Sequence, residues 1–457
     1  MKKDNCINRR RFLQITGAAA ATTTAAWVGC TPRNEGVGAL GPVPTDMMTY
    51  RTFPSLGDKV SLLGYGCMRW PTIPNPEGRG EIINQEAVNE LVDYAIAHGV
   101  NYFDTAPAYG MGQSERATGI ALKRHPREKF FVATKMSNPG NPDFDVSVAM
   151  YRNSFEQLQV DYIDYYLLDN IGTMTARGFD TRFIDNGLLD FLLKEREAGR
   201  IRHLGWSFHG VTEEFDRILA YHEKVHWDFV MIQMNYSDWE NAADGRNVNA
   251  TYLYDELAKR NIPTAIMEPL LGGRLSNLPL HIVSRLKEQN PDSSAASWAF
   301  RFVGSFDNVF TVLSGMTYME HLQDNIRTYA PLAPLNEEQK EFLYKTAELM
   351  LQYPTIPCND CLYCMPCPYG IDIPGVLLHY NKCINEGNVP KSSNDENYRK
   401  ARRAFLVSYD RNVAKIRQSD HCTGCRQCVD DCPQRINIPV ELRRLHSFVE
   451  QLRQETL

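Results

Sequence analysis

The sequence predicts an α/β protein: a (β/α)8 TIM barrel followed by a smaller α-helical domain. Three observations carry that expectation. Between residues 50 and 334, eight short apolar runs alternate with amphipathic helical stretches, the pattern of parallel strands joined by helices. A span of that length suits one closed barrel. Beyond it, eight of the chain's twelve cysteines gather in two runs that each close on Cys-Pro, the signature of a second, metal-binding unit.

The 457 residues are enough for two or three domains, and a hydrophobic content of 43% supplies a large core. A net charge of -6 with no long basic run gives nucleic acid and anionic membranes nothing to bind. Residues 1–30 carry Asn8-Arg9-Arg10-Arg11-Phe12-Leu13-Gln14 and then a weakly apolar run from Ile15 to Gly29. This resembles a twin-arginine export signal, which implies passage of the folded protein to the periplasm or cell envelope. The alternative is a chance basic start on a cytoplasmic enzyme. Val28-Gly29-Cys30 resembles the end of a lipoprotein cleavage box, although Trp27 stands where leucine is usual. A lipid on Cys30 would be the protein's sole link to a membrane, with residues 31–49 as a Gly- and Pro-rich tether.

The eight expected strands are Val60–Leu63, Tyr102–Asp104, Phe130–Lys135, Tyr162–Leu168, His203–Ser207, Phe229–Gln233, Thr264–Glu268 and Val309–Leu313. Helices are expected between them, among others over Glu86–His98, Glu115–Lys123, Leu188–Ala198 and Tyr252–Asn261. A doubly wound open sheet is the competing fold. Against it, the first strand leads into Gly64-Tyr-Gly66-Cys67-Met68-Arg69, which lacks a three-glycine fingerprint and opens no helix directly.

Barrel chemistry sits at the C-terminal ends of the strands. There the second strand ends on Asp104, with Tyr109 just beyond, and the third ends on Lys135. A tyrosine acts as general acid to a carbonyl when its pKa, ~10 unperturbed, is brought down by a nearby ammonium. Lys135 is the expected ammonium and Asp104 the carboxylate that holds it.

The segments Gly99-Val-Asn-Tyr-Phe-Asp104-Thr-Ala-Pro-Ala-Tyr109, Ser114-Glu115, Thr134-Lys135, Asp161-Tyr-Ile-Asp164-Tyr-Tyr-Leu-Leu168, Gly199-Arg-Ile-Arg-His-Leu-Gly205 and Gly315 to Asn325 occur in order. Together they resemble the aldo-keto reductase family, and the cysteine-rich tail resembles its iron–sulfur branch. The resemblance implies hydride transfer between a nicotinamide cofactor and a small carbonyl substrate, with Tyr109 as proton donor, Lys135 as its tuner and Asp104 as the lysine's partner. It also assigns Ser207 and Gln233 to the nicotinamide carboxamide, and Gly272, Gly315 and Asn325 to the remaining cofactor contacts. The cofactor is NADP or NAD, since Thr317 and His321 replace an arginine and a glutamine common in relatives. One position departs from the family pattern. Asp169-Asn170 follows the fourth strand where relatives carry a histidine that orients the carbonyl. An aspartate donates a hydrogen bond only when protonated, which an apolar pocket can enforce by raising its pKa; either the site takes another substrate geometry, such as an activated C=C bond, or carbonyl reduction is weakened. His209 is a candidate replacement.

Residues 335–457 form the expected second domain, with helices over Leu335–Gln352, Val376–Tyr380, Tyr398–Val407 and Val440–Leu452. Its cysteines, Cys358, Cys361, Cys364 and Cys367, then Cys422, Cys425, Cys428 and Cys432, suit two [4Fe-4S] clusters of ferredoxin type. In such pairs the fourth cysteine of each run reaches the other cluster, which puts Cys432 with Cys358, Cys361 and Cys364, and Cys367 with Cys422, Cys425 and Cys428. Two zinc ribbons are the alternative. Cys67 and Cys383 read as core thiols. The electron partner of such clusters would be a redox protein or a quinone-linked donor. A different class of function, a non-turnover electron-transfer or binding module, draws its support from Asp169.

Overall fold

A hairpin precedes the barrel: β1 (Tyr50–Thr52) pairs antiparallel with β2 (Lys59–Ser61). The computed structural model describes residues 42–457 apart from 79, 173–177 and 353–354. The expected signal, Arg9-Arg10 and Cys30 therefore lie outside the described residues. The compact unit begins at Val43. Met48 is buried in the barrel core and the Thr49 amide donates to Tyr329 O, so the last residues assigned to a tether belong to the barrel. Among the described residues no helix is long and apolar enough to cross a membrane.

The barrel strands are β3 (Leu63–Gly66), β6 (Tyr102–Asp104), β7 (Phe131–Met136), β8 (Ile163–Ile171), β9 (Ile201–Phe208), β10 (Phe229–Gln233), β11 (Thr264–Met267) and β12 (Val309–Ser314); a second hairpin, β4 (Thr72–Pro74) with β5 (Glu81–Ile83), follows the first of them. They close in the order β10-β11-β12-β3-β6-β7-β8-β9, every pair parallel. The first barrel strand is thus later than the expected Val60–Leu63. Val60 belongs to the hairpin, because Ser61 is still paired with Tyr50. The other seven lie where the apolar runs predict. Parallel strands covered by helices on one side and a packed interior on the other read as continuous apolar runs, and β8 is buried at every residue but Asn170.

Inside the barrel Tyr102, Tyr165, Phe229 and Phe310 pack ring against ring, most of them edge to face. The first hairpin adds Leu56 and Val60 to this interior cluster, with Phe53 packed against it. Asp58, also from the hairpin loop, accepts from Tyr165 Oη at 3.0 Å and from Arg202 at 3.1 Å, and pairs with His203 at 2.9 Å. The helix Glu337–Leu351 starts on an Asn336–Gln339 capping box. It buries Leu343 and Ala347 in the barrel's outer core, so it is part of the barrel rather than of the tail.

The tail packs three helices, Ile373–Asn385, Tyr398–Asn412 and Ile438–Gln454, around Val376, Phe405, Leu445 and their neighbours. Its first cysteine run is in a loop at the edge of this core, with Cys361 in the cavity at the C-terminal ends of the barrel strands, and the second run includes the short helix Gln427–Asp430.

Candidate active site

Asp104, buried at the end of β6, accepts a hydrogen bond from Lys135 Nζ at 2.5 Å, and the same ammonium donates to Thr105 O at 2.8 Å. Lys135 Nζ stands 4.6 Å from the centroid of the Tyr109 ring. Strand pairing puts Asp104 beside Ala133, two residues before Lys135, so the register itself brings carboxylate and ammonium together. Glu115 braces the neighbouring Thr134, accepting its hydroxyl at 2.6 Å. Asp104, Tyr109 and Lys135 form the floor of a cavity of about 400 Å³.

One expectation reverses here. Lys135 does not bring the Tyr109 phenol down. Burial pushes it well above 10, and the carboxylates of Asp104, Asp169 and Glu268 add to the shift. Lys135 is engaged by Asp104 and a carbonyl, and Tyr109 keeps its proton.

Asp169 is fixed at the end of β8. Its Oδ2 accepts from Ser137 Oγ at 2.5 Å and its Oδ1 from Ser207 Oγ at 3.3 Å, while Arg182 holds its carbonyl at 2.7 Å. Both side-chain oxygens therefore act as acceptors, and the residue offers no donor to the cavity. His209 is at the cavity wall, and burial lowers its imidazole to about 4, which leaves the ring neutral.

Ser207, Gly272, Gly315 and Asn325 also line the cavity, with Asn325 Nδ2 donating to Ser314 Oγ at 2.9 Å. Gln233 does not. Its amide turns toward the tail, donating to Asp238 Oδ2 at 2.6 Å and accepting from Gln434 Nε2 at 2.9 Å. The structure thus moves Gln233 out of the set of cavity-lining cofactor contacts. Cys67 is buried, and so is Cys383, whose Sγ is 3.4 Å from His379 Nε2.

The cavity has residues that sequence reasoning missed. Arg69, after β3, donates to Asn359 O at 2.8 Å, to Asp360 O at 3.1 Å and to Asp360 Oδ2 at 3.2 Å, tying the barrel mouth to the first cysteine run. Gly272 approaches that run so closely that a Cβ would lie 2.0 Å from Asn359 O. Glu268 faces the cavity, and its buried Oε2 has no hydrogen-bond partner among the described residues. Cys361, Tyr363 and Pro433 complete the wall. Nothing in the spacing of Cys361 and Cys364 signals that the tyrosine between them meets the barrel.

The ten described cysteines are all free thiols. The thiols that bear on Cys361 are Cys432, Cys364 and Cys358, and those that bear on Cys428 are Cys422, Cys425 and Cys367. Burial pushes Cys358 and Cys428 up to about 12. Among the described residues no three His, Cys, Asp or Glu side chains close on one point at the spacing of a single bound ion.

The aldo/keto reductase family model matches residues 62–343. The chain belongs to the aldo/keto reductase family. It is an aldo-keto reductase-like oxidoreductase in that sense. It is 30% identical over 254 residues to an aldo-keto reductase of Mycolicibacterium smegmatis, a match covering 55% of this chain and 80% of that protein. It is 32% identical over 159 residues to probable aldo-keto reductase 1 of Glycine max, covering 33% of this chain and 42% of that one. Among solved structures, the holo form of an aldo-keto reductase from Bacillus halodurans superposes with a TM-score of 0.52 at 22% identity, covering 65% of this chain and 96% of that one. An aldo-keto reductase from Klebsiella pneumoniae in complex with NADPH gives 0.51 at 18%, covering 65% and 95%. These likenesses extend over the barrel fold.

Proposed function

We propose that this aldo-keto reductase transfers hydride between a nicotinamide cofactor, NADP or NAD, and a small carbonyl or activated C=C substrate, and exchanges electrons through two [4Fe-4S] clusters in its tail. The observation that carries the reading is the joint cavity: Asp104, Lys135 and Tyr109 form its floor, and Cys361 is in its wall.

The residues suit the cofactor. Glu268 Oε2 is a buried oxygen with no hydrogen-bond partner among the described residues, and Ser207 and Asn325 add polar atoms along the same cavity. When bound, the nicotinamide would supply the hydride. Tyr109, held protonated by burial, would give its proton to the substrate oxygen, with Lys135 and Asp104 balancing the charge left behind. The barrel mouth keeps Glu320 and Asp324 near Gly315, and carboxylates there disfavour the extra phosphate of NADP. The Klebsiella pneumoniae relative, in complex with NADPH, supports the other choice.

The donor chemistry of the tail suits iron–sulfur clusters. Thiols this buried are costly as thiolates unless metal holds them, and free cysteines in two groups of four meet that need. A cubane spreads its four thiolates because each binds a different iron, whereas one tetrahedral zinc draws them to about 2.3 Å from a single point. Export by the twin-arginine route, with Cys30 as a lipid-attachment candidate, follows from the N-terminal motif, since that route carries folded proteins and clusters are built before export. A redox protein or quinone-linked donor would then face the tail.

Anaerobic purification from the native compartment tests this. The expected result is a protein holding close to eight irons, which is two cubanes, together with carbonyl-dependent oxidation of NADPH or NADH. Intact clusters with no nicotinamide binding would leave only the electron-transfer module.

A further inference from the structure

The wall above Tyr109 is not built by the barrel. It comes from the first cysteine run, where Leu362 adopts φ +67 and points outward at 55% exposure while Tyr363 turns in to the cavity. Tyr363 lines the same cavity as Tyr109, Lys135 and Asp169, and the charges of Asp169 and Lys135 both bear on it. Tyr363 thus stands among the proton donor, the lysine and the residue that replaces the family's histidine.

Ser137 and Ser207 each donate to one side-chain oxygen of Asp169, so in this geometry both of its oxygens are used as acceptors. Of two aromatic donors in the cavity lining, His209 bears on Asp169 but is not among the groups acting on Tyr109, whereas Tyr363 is. We propose that Tyr363 supplies the hydrogen bond that orients the substrate oxygen, so that the cysteine-bearing tail completes the active site of the barrel. This inference rests on the carbonyl-reduction reading above. Tyr109 passes its proton to the substrate oxygen as hydride reaches the carbonyl carbon; Tyr363 keeps its own proton and donates only a hydrogen bond. The tail therefore defines substrate geometry as well as carrying thiols.

The test uses the full chain, purified anaerobically, with 4-nitrobenzaldehyde as probe and NADPH or NADH as cofactor. Tyr363→Phe and Tyr363→His are compared with the parent protein for kcat and KM separately. Aldehyde affinity is read by fluorescence in the complex with oxidised cofactor, alongside cofactor affinity and the cluster EPR signal. Tyr363→Phe should lower kcat/KM about 100- to 1,000-fold, the scale of losing one donor to a developing oxyanion. Aldehyde affinity should fall with it, cofactor affinity and EPR should stay unchanged, and Tyr363→His should recover part of the loss. A Tyr363→Phe protein within about twofold of the parent overturns the inference and leaves the proposed function intact. Loss of cofactor affinity and EPR signal together also overturns it, because the tyrosine is then only structural. A parent protein that oxidises neither cofactor with any carbonyl, and binds no aldehyde, overturns the proposed function and this inference with it.

Discussion

The barrel seals aromatic rings inside a closed sheet, with Tyr165 packed against Tyr102, Phe229 and Phe310 and no free strand edge. The tail instead sets three helices around a small apolar core and lines one side of that core with half-buried thiols such as Cys364, Cys367, Cys422 and Cys428. The first can rest on burial alone, which scales with the size of the domain. The second is smaller and gains order from docking on the barrel, to which the proposed clusters would add. Docking is specific: Arg69 holds Asn359 and Asp360, Asn247 donates to Pro433 O at 2.9 Å, and Gln233 pairs with Gln434. The site lies where the two kinds of stability meet.

That difference can be broken from either side. The largest effect is expected from Cys432→Ser. Cys432 belongs to the second run but groups with the first run's thiols, so about half of the bound iron should be lost on assay. Cys383→Ser, in the apolar core beside His379, should leave the iron content unchanged. Tyr109→Phe should cost ~10³-fold in kcat without altering the iron content, separating the barrel's chemistry from the tail's ligands. In wild type the raised Tyr109 phenol should keep kcat/KM for reduction free of a tyrosine-linked fall as pH rises through about 10.

Smaller effects probe the docking surface and the barrel floor. Gly272→Ala forces a Cβ against Asn359 O at a φ of +64, and should destabilise the protein by ~2–4 kcal/mol in a denaturant titration. Asp58→Asn acts at the opposite end of the barrel. Burial alone would raise this carboxyl, but the hydrogen bond and charge of His203, with Arg202 and Tyr165, bring it below its usual value. Its contribution is therefore present above the unfolded carboxylate pKa of ~3.9 and lost as pH falls through the lower folded value. The substitution should cost ~1–2 kcal/mol at neutral pH and shrink toward nothing in strong acid. Gln434→Ala, which removes the two hydrogen bonds between Gln434 and Gln233, at 2.9 and 3.4 Å, should cost about 1 kcal/mol by the same titration.

Much of the barrel was legible because its signals are local. Apolar runs mark the strands and Asp104, Tyr109 and Lys135 fall at strand ends, where neighbouring strands must bring them together. The start of the barrel was less legible, since Val60 carries the same apolar character in a hairpin as it would in a parallel strand. Gln233 shows the same limit at the site. Its position at the end of β10 is a local fact, but Gln434, 201 residues away, decides which way its amide turns.

The sequence by itself determined the barrel, the family, the floor of the cavity and the identity of the eight clustered thiols, because each is written in residue type and short spacing. Only the tertiary structure decided that Tyr109 keeps its proton, because burial and three carboxylates outweigh one lysine already bound to Asp104. Only the tertiary structure brought Tyr363 and Cys361 into the cavity wall, because the approach of the first cysteine run to the barrel mouth depends on Arg69 and Gly272, nearly 300 and 90 residues earlier in the chain. Contacts at that separation leave no periodicity to read.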